Sequence, residues 1–539
     1  MHRSGLAALV VSLSGAITCA VGCGQQAPTA AAHDAGEATI ALTPRWGETL
    51  APTSPLLLGH NAVWSRGGLG LWDDARHAPF DDVTARVRAL HPGVLRFPGG
   101  TRAMRYHFDQ AIGPLAGRTP QCDPFRGTTD ATGYGPDEAL RFAESIGAAV
   151  TLVTPWVDGS PEEAAAFVAY ANADAASTAP IGVDASGKDW GSAGDWGARR
   201  AANGHAEPYA VAFVEIGNEP YLDLRVGPDV SCGRPSPFRQ DERWVAGKAI
   251  PTTAADYAAQ VARTGARVRA IDPRIRIGAA AYSAFDGSSD PAREIGDHDR
   301  KIGSADAWNA RLVADAGASF DLFVLHPYDF GSSDARLRLA DRLRTTIRGL
   351  RALDAGKGFA ITEYGFLFGG ATLMNALVSV DVVRVAVEER ATIALRHVLI
   401  EDDPTEPFAD SAALLGPAHD EQPGFHAMRL LAAGLQPFAV GVDGLPDGVT
   451  ALATRDEAGR ALCVALVDRR PDTGAEGPTS FDVTLPPGEL AGTLSVVHAS
   501  TLDATGDAVR VDDQPTSARE RVRVLLPAHG LAVLRLTAR

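Results

Sequence analysis

The segment FVEIGNEPY, residues 213–221, carries two glutamates on what the sequence predicts to be one buried strand. Glu215 lies in the middle of that strand and Glu219 at its tip. A second apolar run, GFAITEYG, ends in Glu363. A single buried-strand glutamate is more often half of a structural ion pair. Two carboxylates at strand tips, however, match the pair that cleaves a glycosidic bond, one near the leaving oxygen and one near the anomeric carbon.

Short apolar runs alternate with amphipathic stretches from about residue 55 onward. The predicted strands are 57–63, 93–97, 149–153, 212–217, 275–281, 321–326, 358–363 and 397–400. The predicted helices include 81–90, 161–172, 254–271 and 334–353. Strand–helix alternation of this kind builds a parallel sheet, and eight such units predict a (β/α)8 TIM barrel. A doubly wound open sheet is the alternative, but no G-x-G-x-x-G turn follows an early strand.

Helical periodicity stops after about residue 437, and short alternating strands separated by turn signals predict an antiparallel β-sandwich. The predicted organisation is therefore a signal peptide (1–22), a flexible tether (23–36), a catalytic barrel (37–437) and a sandwich domain (438–539). The segment 37–54 precedes the barrel and includes the strand-like ATIALTP, so it is a candidate to join the sandwich.

Catalytic groups of such barrels lie at the carboxyl ends of the strands. The polar and aromatic residues predicted there are Asn61, Arg96, Trp156, Asn218, Tyr282, His326 and Tyr328. Aromatic rings and single hydrogen-bonding groups around a cleft suit a sugar, which offers apolar faces and hydroxyls. Plain packing is the alternative for Trp156, and a structural histidine is the alternative for His326.

Several motifs resemble those of the family-51 glycoside hydrolases. They are LRFPGGTRAMRYHFDQAIGP (95–114), GYGPDEALRFAESIGA (133–148), GSPEEAAAFVAYAN (159–172), EIGNE (215–219), LHPYD (325–329) and the final PAHGLAVLRL. The resemblance covers most of the chain after the tether. It implies retaining exo-hydrolysis, most often of α-L-arabinofuranosides, without a metal.

The resemblance also implies roles for individual residues. Glu219 would be the acid/base and Glu363 the nucleophile, and Asn218 would bond the sugar 2-hydroxyl. Arg96, His326 and Tyr328 would be supporting groups near the nucleophile. This sequence departs from the family at four points: Thr101 in place of asparagine, TPWVDGS after strand three, TEYG around the nucleophile, and Asn61 in place of a strand-one glutamate. These departures leave the reaction intact and leave the sugar open.

The predicted reaction is a double displacement, which requires the two carboxyl groups to lie about 5–5.5 Å apart. The charge of Glu363 should raise the pKa of Glu219. Glu215 lies too deep to reach the same substrate, and an unpaired buried charge is costly, so the sequence predicts a basic or hydrogen-bonding partner, with Arg96 the first candidate.

The alternatives to an α-L-arabinofuranosidase acting on plant-type polysaccharide or oligosaccharide side chains are other retaining glycosidases: a β-xylosidase, a β-glucuronidase or an endoglucanase. A non-catalytic carbohydrate-binding lipoprotein is the alternative from another class. No G-x-S-x-G or H-E-x-x-H motif supports a serine esterase or a zinc peptidase. We predict no cofactor. The net charge of −16 argues against a nucleic-acid partner.

The N-terminal segment reads as an export signal that ends in Ala20-Val21-Gly22-Cys23, which resembles a lipoprotein cleavage site. Cys23 is the lipidation candidate, and a lipid anchor would be the only membrane attachment; secretion with cleavage near Ala30 is the alternative. Export implies an oxidising compartment. Cys122 and Cys232 lie in polar loops and are the disulfide candidates, whereas Cys463 lies in an apolar strand.

Overall fold

The structure is a computed structural model of the chain. It describes residues 39–539 except 124–127, 222–243, 246–247, 250–252, 284–293, 298–299, 330, 367–369, 402, 404–412 and 475. Residues 39–539 form one compact unit. The predicted signal peptide, the tether and Cys23 lie outside the described residues, as does Cys232.

A closed parallel barrel is the centre of the described chain. Its eight strands are Gly59–Asn61, Val94–Phe97, Ala149–Thr154, Phe213–Ile216, Arg276–Ala280, Leu322–Leu325, Gly358–Ile361 and Ile393–Arg396, called here barrel strands one to eight. Each strand pairs in parallel with the next, and strand eight closes the barrel on strand one through Arg396 and His60. The (β/α)8 fold predicted from strand–helix alternation is confirmed.

Eleven helices are present in the described parts of the chain. They are Ser65–Gly70, Asp81–Ala89, Pro136–Ile146, Pro161–Asn172, Ala193–Ala202, Ala254–Ile271, Ala305–Ala316, Ser333–Leu337, Leu339–Leu353, Leu373–Glu388 and Pro423–Gly434. Two begin at predicted bounds because of good caps: the side chain of Ser160 accepts from the backbone N–H of Glu163, and that of Thr253 from Asp256. The helix predicted over 334–353 is interrupted at Arg338.

Barrel strand eight differs from its prediction. The sequence predicts it over 397–400, whereas the ladder uses Ile393–Arg396 and ends before His397. Val398 and Ile400 are also buried, so hydrophobicity alone does not distinguish the two placements. The pairing places a charged residue, Arg396, inside the strand, where it is fully buried.

The C-terminal strands form an antiparallel sandwich of two sheets, as predicted. One sheet contains Val442–Asp443, Ile40–Pro44, Thr479–Thr484 and Arg521–Leu526. The other contains Ala51–Pro52, Phe438–Val440, Val449–Arg455, Ala461–Asp468, Leu531–Ala538, Leu490–His498 and Arg510–Ala518. Leu42, Val464 and Phe481 are among the side chains packed between them. The strand Ile40–Pro44 runs parallel to Thr479–Thr484, so the segment before the barrel contributes to this sheet.

Four short β-hairpins lie in the described loops of the barrel. They pair Trp72–Asp73 with Ala78–Pro79, Gln121–Asp123 with Thr128–Asp130, Trp244–Val245 with Lys248–Ala249, and Glu294–Asp297 with Arg300–Ser304. Cys122 is disulfide-bonded. Since Cys232 is not described, its pairing with Cys122 stays a prediction. Cys463 is a free thiol and is buried, as its apolar strand predicted.

Membrane-spanning helices were sought within the described residues only. None of the helices there combines the length and the hydropathy that crossing a bilayer requires.

Candidate active site

The predicted site residues lie at the carboxyl ends of the barrel strands. Asn61 and Arg96 belong to strands one and two; Trp156, Asn218, Glu219, Tyr282, His326, Tyr328 and Glu363 follow strands three to seven. Parallel strands bring these ends to one mouth of the barrel. Most of these side chains join one hydrogen-bonded cluster, and all but Tyr282 are at least nine-tenths buried.

A tight turn after strand four presents Glu219. Gly217 has φ +73° and Glu219 has φ +42°, so the chain passes through left-handed backbone on both sides of Asn218. A Cβ atom at Gly217 would lie 2.9 Å from the Cβ atom of Trp156, which is too close. Glycine is therefore required at this position for its conformation and for the close approach of Trp156.

Trp156 and Tyr282 are positioned by packing. The Trp156 ring meets Tyr257 edge-to-face with centroids 5.0 Å apart, and the Tyr257 hydroxyl donates to the carbonyl oxygen of Ile216 at 2.8 Å. Trp156 thus supports the turn that carries Glu219. The ring of Tyr282 packs against Tyr221 at 5.1 Å. Sugar contacts by Trp156 and Tyr282 stay predictions.

Arg96 holds the cluster together. Its guanidinium is fully buried and donates twice to Glu215, from Nε at 2.8 Å and from Nη2 at 2.7 Å. Nη2 also donates to Asn218 Oδ1 at 2.7 Å, and Nη1 donates to Asn61 Oδ1 at 2.9 Å and to Glu363 Oε1 at 2.6 Å. All five N–H groups are therefore used. The partner of Glu215 is Arg96, as the sequence predicted.

Glu363 is a buried carboxylate with strong donors. Besides Arg96, the Tyr328 hydroxyl donates to Glu363 Oε2 at 2.7 Å. Burial alone would raise the pKa of Glu363. The charges of His326 and Arg96, together with that hydroxyl, hold it well below the usual range of a glutamate. Glu363 is accordingly an ionised group at neutral pH, the form that a nucleophile needs.

Glu219 has the opposite electrostatic character. Burial and the nearby charge of Glu363 raise the pKa of Glu219, although the hydrogen bond from His326 opposes that shift. His326 Nδ1 lies 3.0 Å from Glu219 Oε1. Two carboxyl groups whose environments move their pKa values apart are the pattern of a paired acid and base.

His326 lies close to the carboxyl groups of both Glu219 and Glu363. Its Nε2 atom bonds the Thr362 hydroxyl at 2.8 Å and lies 3.7 Å from Glu215 Oε1. Burial lowers the pKa of His326, yet the surrounding carboxylates, with Glu363 foremost, raise it to about 9. A charged imidazole at this place orients Glu219 and balances the negative charge of the cluster.

One atom that could coordinate a metal from each of Glu219, His326 and Glu363 lies within 4.8 Å of the others, a spacing that could hold a cation. Both ring nitrogens of His326 already have partners, in Glu219 and Thr362. The same atoms are thus used by a hydrogen-bonded network in this structure. The close approach also means that a carboxyl oxygen of Glu219 lies within 4.8 Å of one of Glu363.

His397 is a site residue that the sequence analysis missed. Its Nδ1 atom lies 3.8 Å from Glu363 Oε2, and a Cβ atom at Gly100 would lie 3.2 Å from its Cε1 atom. Burial lowers the pKa of His397 to about 4, so the ring is neutral at neutral pH. The predicted strand 397–400 begins at His397, whereas in the structure His397 follows the carboxyl end of the strand Ile393–Arg396. The rule for strand ends would have found it with the correct register.

Comparisons with known proteins point in one direction. The sequence profile of the alpha-L-arabinofuranosidase 1 domain matches residues 86–229. An extracellular exo-alpha-L-arabinofuranosidase from Streptomyces chartreusis is 30% identical over 174 residues, which is 26% of this chain and 19% of that protein. An intracellular exo-alpha-(1->5)-L-arabinofuranosidase from Halalkalibacterium halodurans is 22% identical over 253 residues, 47% of this chain and 39% of that protein.

The fold has solved counterparts. A crystal structure of an alpha-L-arabinofuranosidase from Thermotoga maritima, in complex with arabinose, superposes with a TM-score of 0.70 at 17% identity, covering 93% of this chain and all of that one. This chain resembles the family-51 glycoside hydrolases. The chain spans less than half the length of the two curated relatives.

Proposed function

We propose that the chain is a retaining glycoside hydrolase, an α-L-arabinofuranosidase that acts on side chains of plant-type polysaccharides or oligosaccharides. One observation carries the proposal: Glu219 and Glu363 face each other at the ends of strands four and seven with oppositely shifted pKa values. One oxygen of each lies within 4.8 Å of an oxygen of the other, a close approach that favours the spacing of about 5–5.5 Å of retaining pairs over the 6.5–9.5 Å of inverting pairs.

In the first step the Glu363 carboxylate attacks the anomeric carbon while Glu219 gives its proton to the glycosidic oxygen. The bond between that carbon and oxygen breaks, and a glycosyl ester forms on Glu363. Arg96 and Tyr328 each donate to one oxygen of Glu363, so they fix the direction of attack. Orientation of this kind is a large part of the rate enhancement of an enzyme.

In the second step a water molecule attacks the same carbon and Glu219, now a carboxylate, takes its proton. The ester bond breaks and Glu363 is released in its ionised form. Since His326 bonds Glu219, it can stabilise the carboxylate form that this step requires. Asn218 accepts from Arg96 at 2.7 Å and donates to Glu219 Oε2 at 3.5 Å, and contact with the sugar 2-hydroxyl is its proposed role.

The relatives support an α-L-arabinofuranoside as the substrate. Both curated relatives named above are exo-arabinofuranosidases, and the matched profile covers strands two to four, which supply Arg96, Asn218 and Glu219. The departures at Thr101 and Asn61 leave room for a different pentose or hexose, so the substrate is the part to test first.

The test is a panel of aryl glycosides: α-L-arabinofuranoside, β-xyloside, β-glucoside and β-glucuronide. We expect the arabinofuranoside to give the highest kcat/KM, with retention of configuration in the first product seen by NMR. Glu363→Ala should lower kcat by about 10³-fold or more on every substrate that is turned over. Near-normal turnover by that variant would contradict the assignment of the nucleophile.

We further propose that the chain is exported and held by a lipid on Cys23. The support is the apolar run that ends in AVGC, and one curated relative is an extracellular enzyme. Labelling with radioactive palmitate in a bacterial host should mark the wild type and not Cys23→Ala. Labelling of neither would leave secretion with cleavage near Ala30 as the better account.

A further inference from the structure

Glu215 is a buried acid that the double displacement does not use. It lies in the middle of strand four, with 1% of its surface exposed, and its strand pairs in regular register with Val153 and Gly278. Neither of its oxygens can reach a sugar at the mouth while both accept from Arg96. Because an isolated buried carboxylate is costly, the presence of Glu215 in the barrel centre calls for an explanation.

The geometry of Arg96 gives that reason. Two of its five N–H groups bind Glu215 in a bidentate pair, and a third binds the nucleophile Glu363. A planar guanidinium fixed at one edge by two parallel hydrogen bonds cannot swing at the other edge. Glu215 thereby determines where the Nη1 atom of Arg96 meets Glu363 Oε1, 2.6 Å away.

Glu215 also completes a charge balance. The cluster contains two basic groups, Arg96 and His326, and His326 Nε2 lies 3.7 Å from Glu215 Oε1. With Glu363 ionised and Glu219 protonated, the two positive charges are matched by Glu363 and Glu215. Without the charge of Glu215, the excess positive charge would favour the ionised form of Glu219, which has no proton to give to the leaving oxygen.

We propose that Glu215 is a positioning residue of the reaction. It fixes the position of the nucleophile Glu363 through Arg96. By balancing the positive charges of Arg96 and His326, it also keeps the acid Glu219 protonated. The inference rests on the proposed function, since it assigns a role in the same double displacement. It makes Glu215 part of the working site even though no substrate touches it.

The test uses Glu215→Gln in the full chain, which keeps the shape and removes the charge. The ionisable groups that face Glu215 are Arg96, His326, Tyr221 and Tyr257, and Arg96 and His326 in turn contact Glu219 or Glu363. We expect kcat to fall about tenfold or more and KM to change by less than about threefold. The alkaline limb of kcat/KM should move down by about half a pH unit to one unit, because Glu219 would lose its proton more easily.

Glu389→Gln is the matched control. Glu389 is also a buried glutamate held by arginine, with Arg351 Nη1 at 2.7 Å, but it lies at the start of the loop before strand eight. We expect lower thermal stability in this variant and an unchanged pH profile. Loss of activity in Glu215→Gln with the wild-type pH profile would show a merely structural role and would overturn the inference.

Glu215→Asp covers the case in which the glutamine variant fails to fold. Aspartate keeps the charge and shortens the reach to Arg96, so we expect an alkaline limb at its wild-type position and kcat lower by about tenfold. Wild-type kcat in this variant would overturn the positioning role. Failure of the proposed function is a separate outcome: the wild type itself would then turn over no glycoside of the panel.

Discussion

Arg96 determines how the residues of the site behave as a group. A fully buried guanidinium whose five N–H groups all have partners has no capacity left to bind a carboxylate on a substrate. Its role is internal: it joins strands one, two, four and seven at the level of the nucleophile. His397, by contrast, is neutral, and its buried Nδ1 atom has no hydrogen-bond partner among the described residues.

Tyr328→Phe tests the support of the nucleophile. The lost hydroxyl donates to Glu363 Oε2 at 2.7 Å and helps to lower the pKa of Glu363, so its removal should raise that pKa. The nucleophile would then take up a proton at higher pH, and the acid limb of kcat/KM should move upward. We expect kcat to fall by about 10–100-fold, since a hydrogen bond to a charged group contributes about 1.5–3 kcal/mol.

The control for this change is Tyr134→Phe. The Tyr134 hydroxyl is buried and has no hydrogen-bond partner among the described residues, so its loss should leave the pH profile where it was. An acid limb that moves equally in both variants would refute the role given to Tyr328.

The two glutamates that we propose as catalytic could be predicted to lie at the barrel mouth because a single rule, catalysis at strand ends, applies to each strand separately. The pairing of Glu215 with Arg96 followed from the cost of an unpaired buried charge. His397 could not be found in this way, since its place depends on where strand eight ends, and a run of buried apolar residues continues past that point.

Among the elements at the barrel mouth, the turn Gly217-Asn218-Glu219 is tightly constrained. Two of its residues have left-handed backbone, and Trp156 leaves no space for a side chain at the first. The strand before it is regular and fully buried. The position of the acid therefore depends on the turn.

Gly217→Ala should displace that turn. A residue with a Cβ atom at φ +73° is strained by about 1 kcal/mol or more, and the contact at 2.9 Å with Trp156 adds to that cost. We expect a lower Tm and a loss of kcat of about tenfold or more, because Glu219 moves with the turn.

Gly187→Ala separates strain from contact. Gly187 has φ +89° and open space around its Cα atom, so only the backbone cost applies. We expect a loss of about 1 kcal/mol in the free energy of unfolding and unchanged kcat. If both alanine variants keep full kcat, the turn does not determine the position of the acid.

Element boundaries were predictable where a local signal exists and not elsewhere. The helices Pro161–Asn172 and Ala254–Ile271 begin after capping residues that are visible in the sequence. Strand eight has no such signal, since its end is set by pairing with strand one, far away in the chain. The break at Arg338 is likewise not marked by proline or glycine.

For the whole molecule, the helix Leu373–Glu388 joins the barrel to the sandwich. Asp381 on this helix is 1% exposed and accepts from Arg384 at 2.6 Å, from the Thr450 hydroxyl at 2.8 Å and from Arg469 at 3.1 Å. Thr450 and Arg469 belong to the sandwich. This one carboxylate thus links the two parts of the compact unit.

Asp381→Asn should destabilise the fold by about 3 kcal/mol at neutral pH, because it removes the buried charge that Arg384 and Arg469 share and leaves them, among the described residues, only Glu388 and Asp341 as charged partners. Burial raises the pKa of Asp381, but Arg384 and Arg469 lower it overall. Its contribution is therefore complete above the unfolded pKa of about 3.9 and is lost as the pH falls through the lower folded value. Urea unfolding at several pH values should show the difference between wild type and variant shrinking below about pH 4.

Asp482→Asn is the matched surface control. Asp482 pairs with Arg523 at 3.1 Å on the face of the sandwich, where the arginine is mostly exposed. Its loss should cost less than about 1 kcal/mol. An equal cost for both variants would mean that Asp381 does not link the barrel to the sandwich.

The parallel pairing of Ile40–Pro44 with Thr479–Thr484 has a consequence for the order in which the chain is made. The ribosome produces Ile40 hundreds of residues before Phe481, its partner in the sheet. During synthesis this early strand stays unpaired until residues 479–484 emerge. Contacts so distant in sequence form slowly and leave unpaired edges available to other chains. The sheet that contains Ile40–Pro44 is therefore completed only after residues 479–484 have been made, and a chaperone that covers residues 40–44 should raise the yield of folded protein.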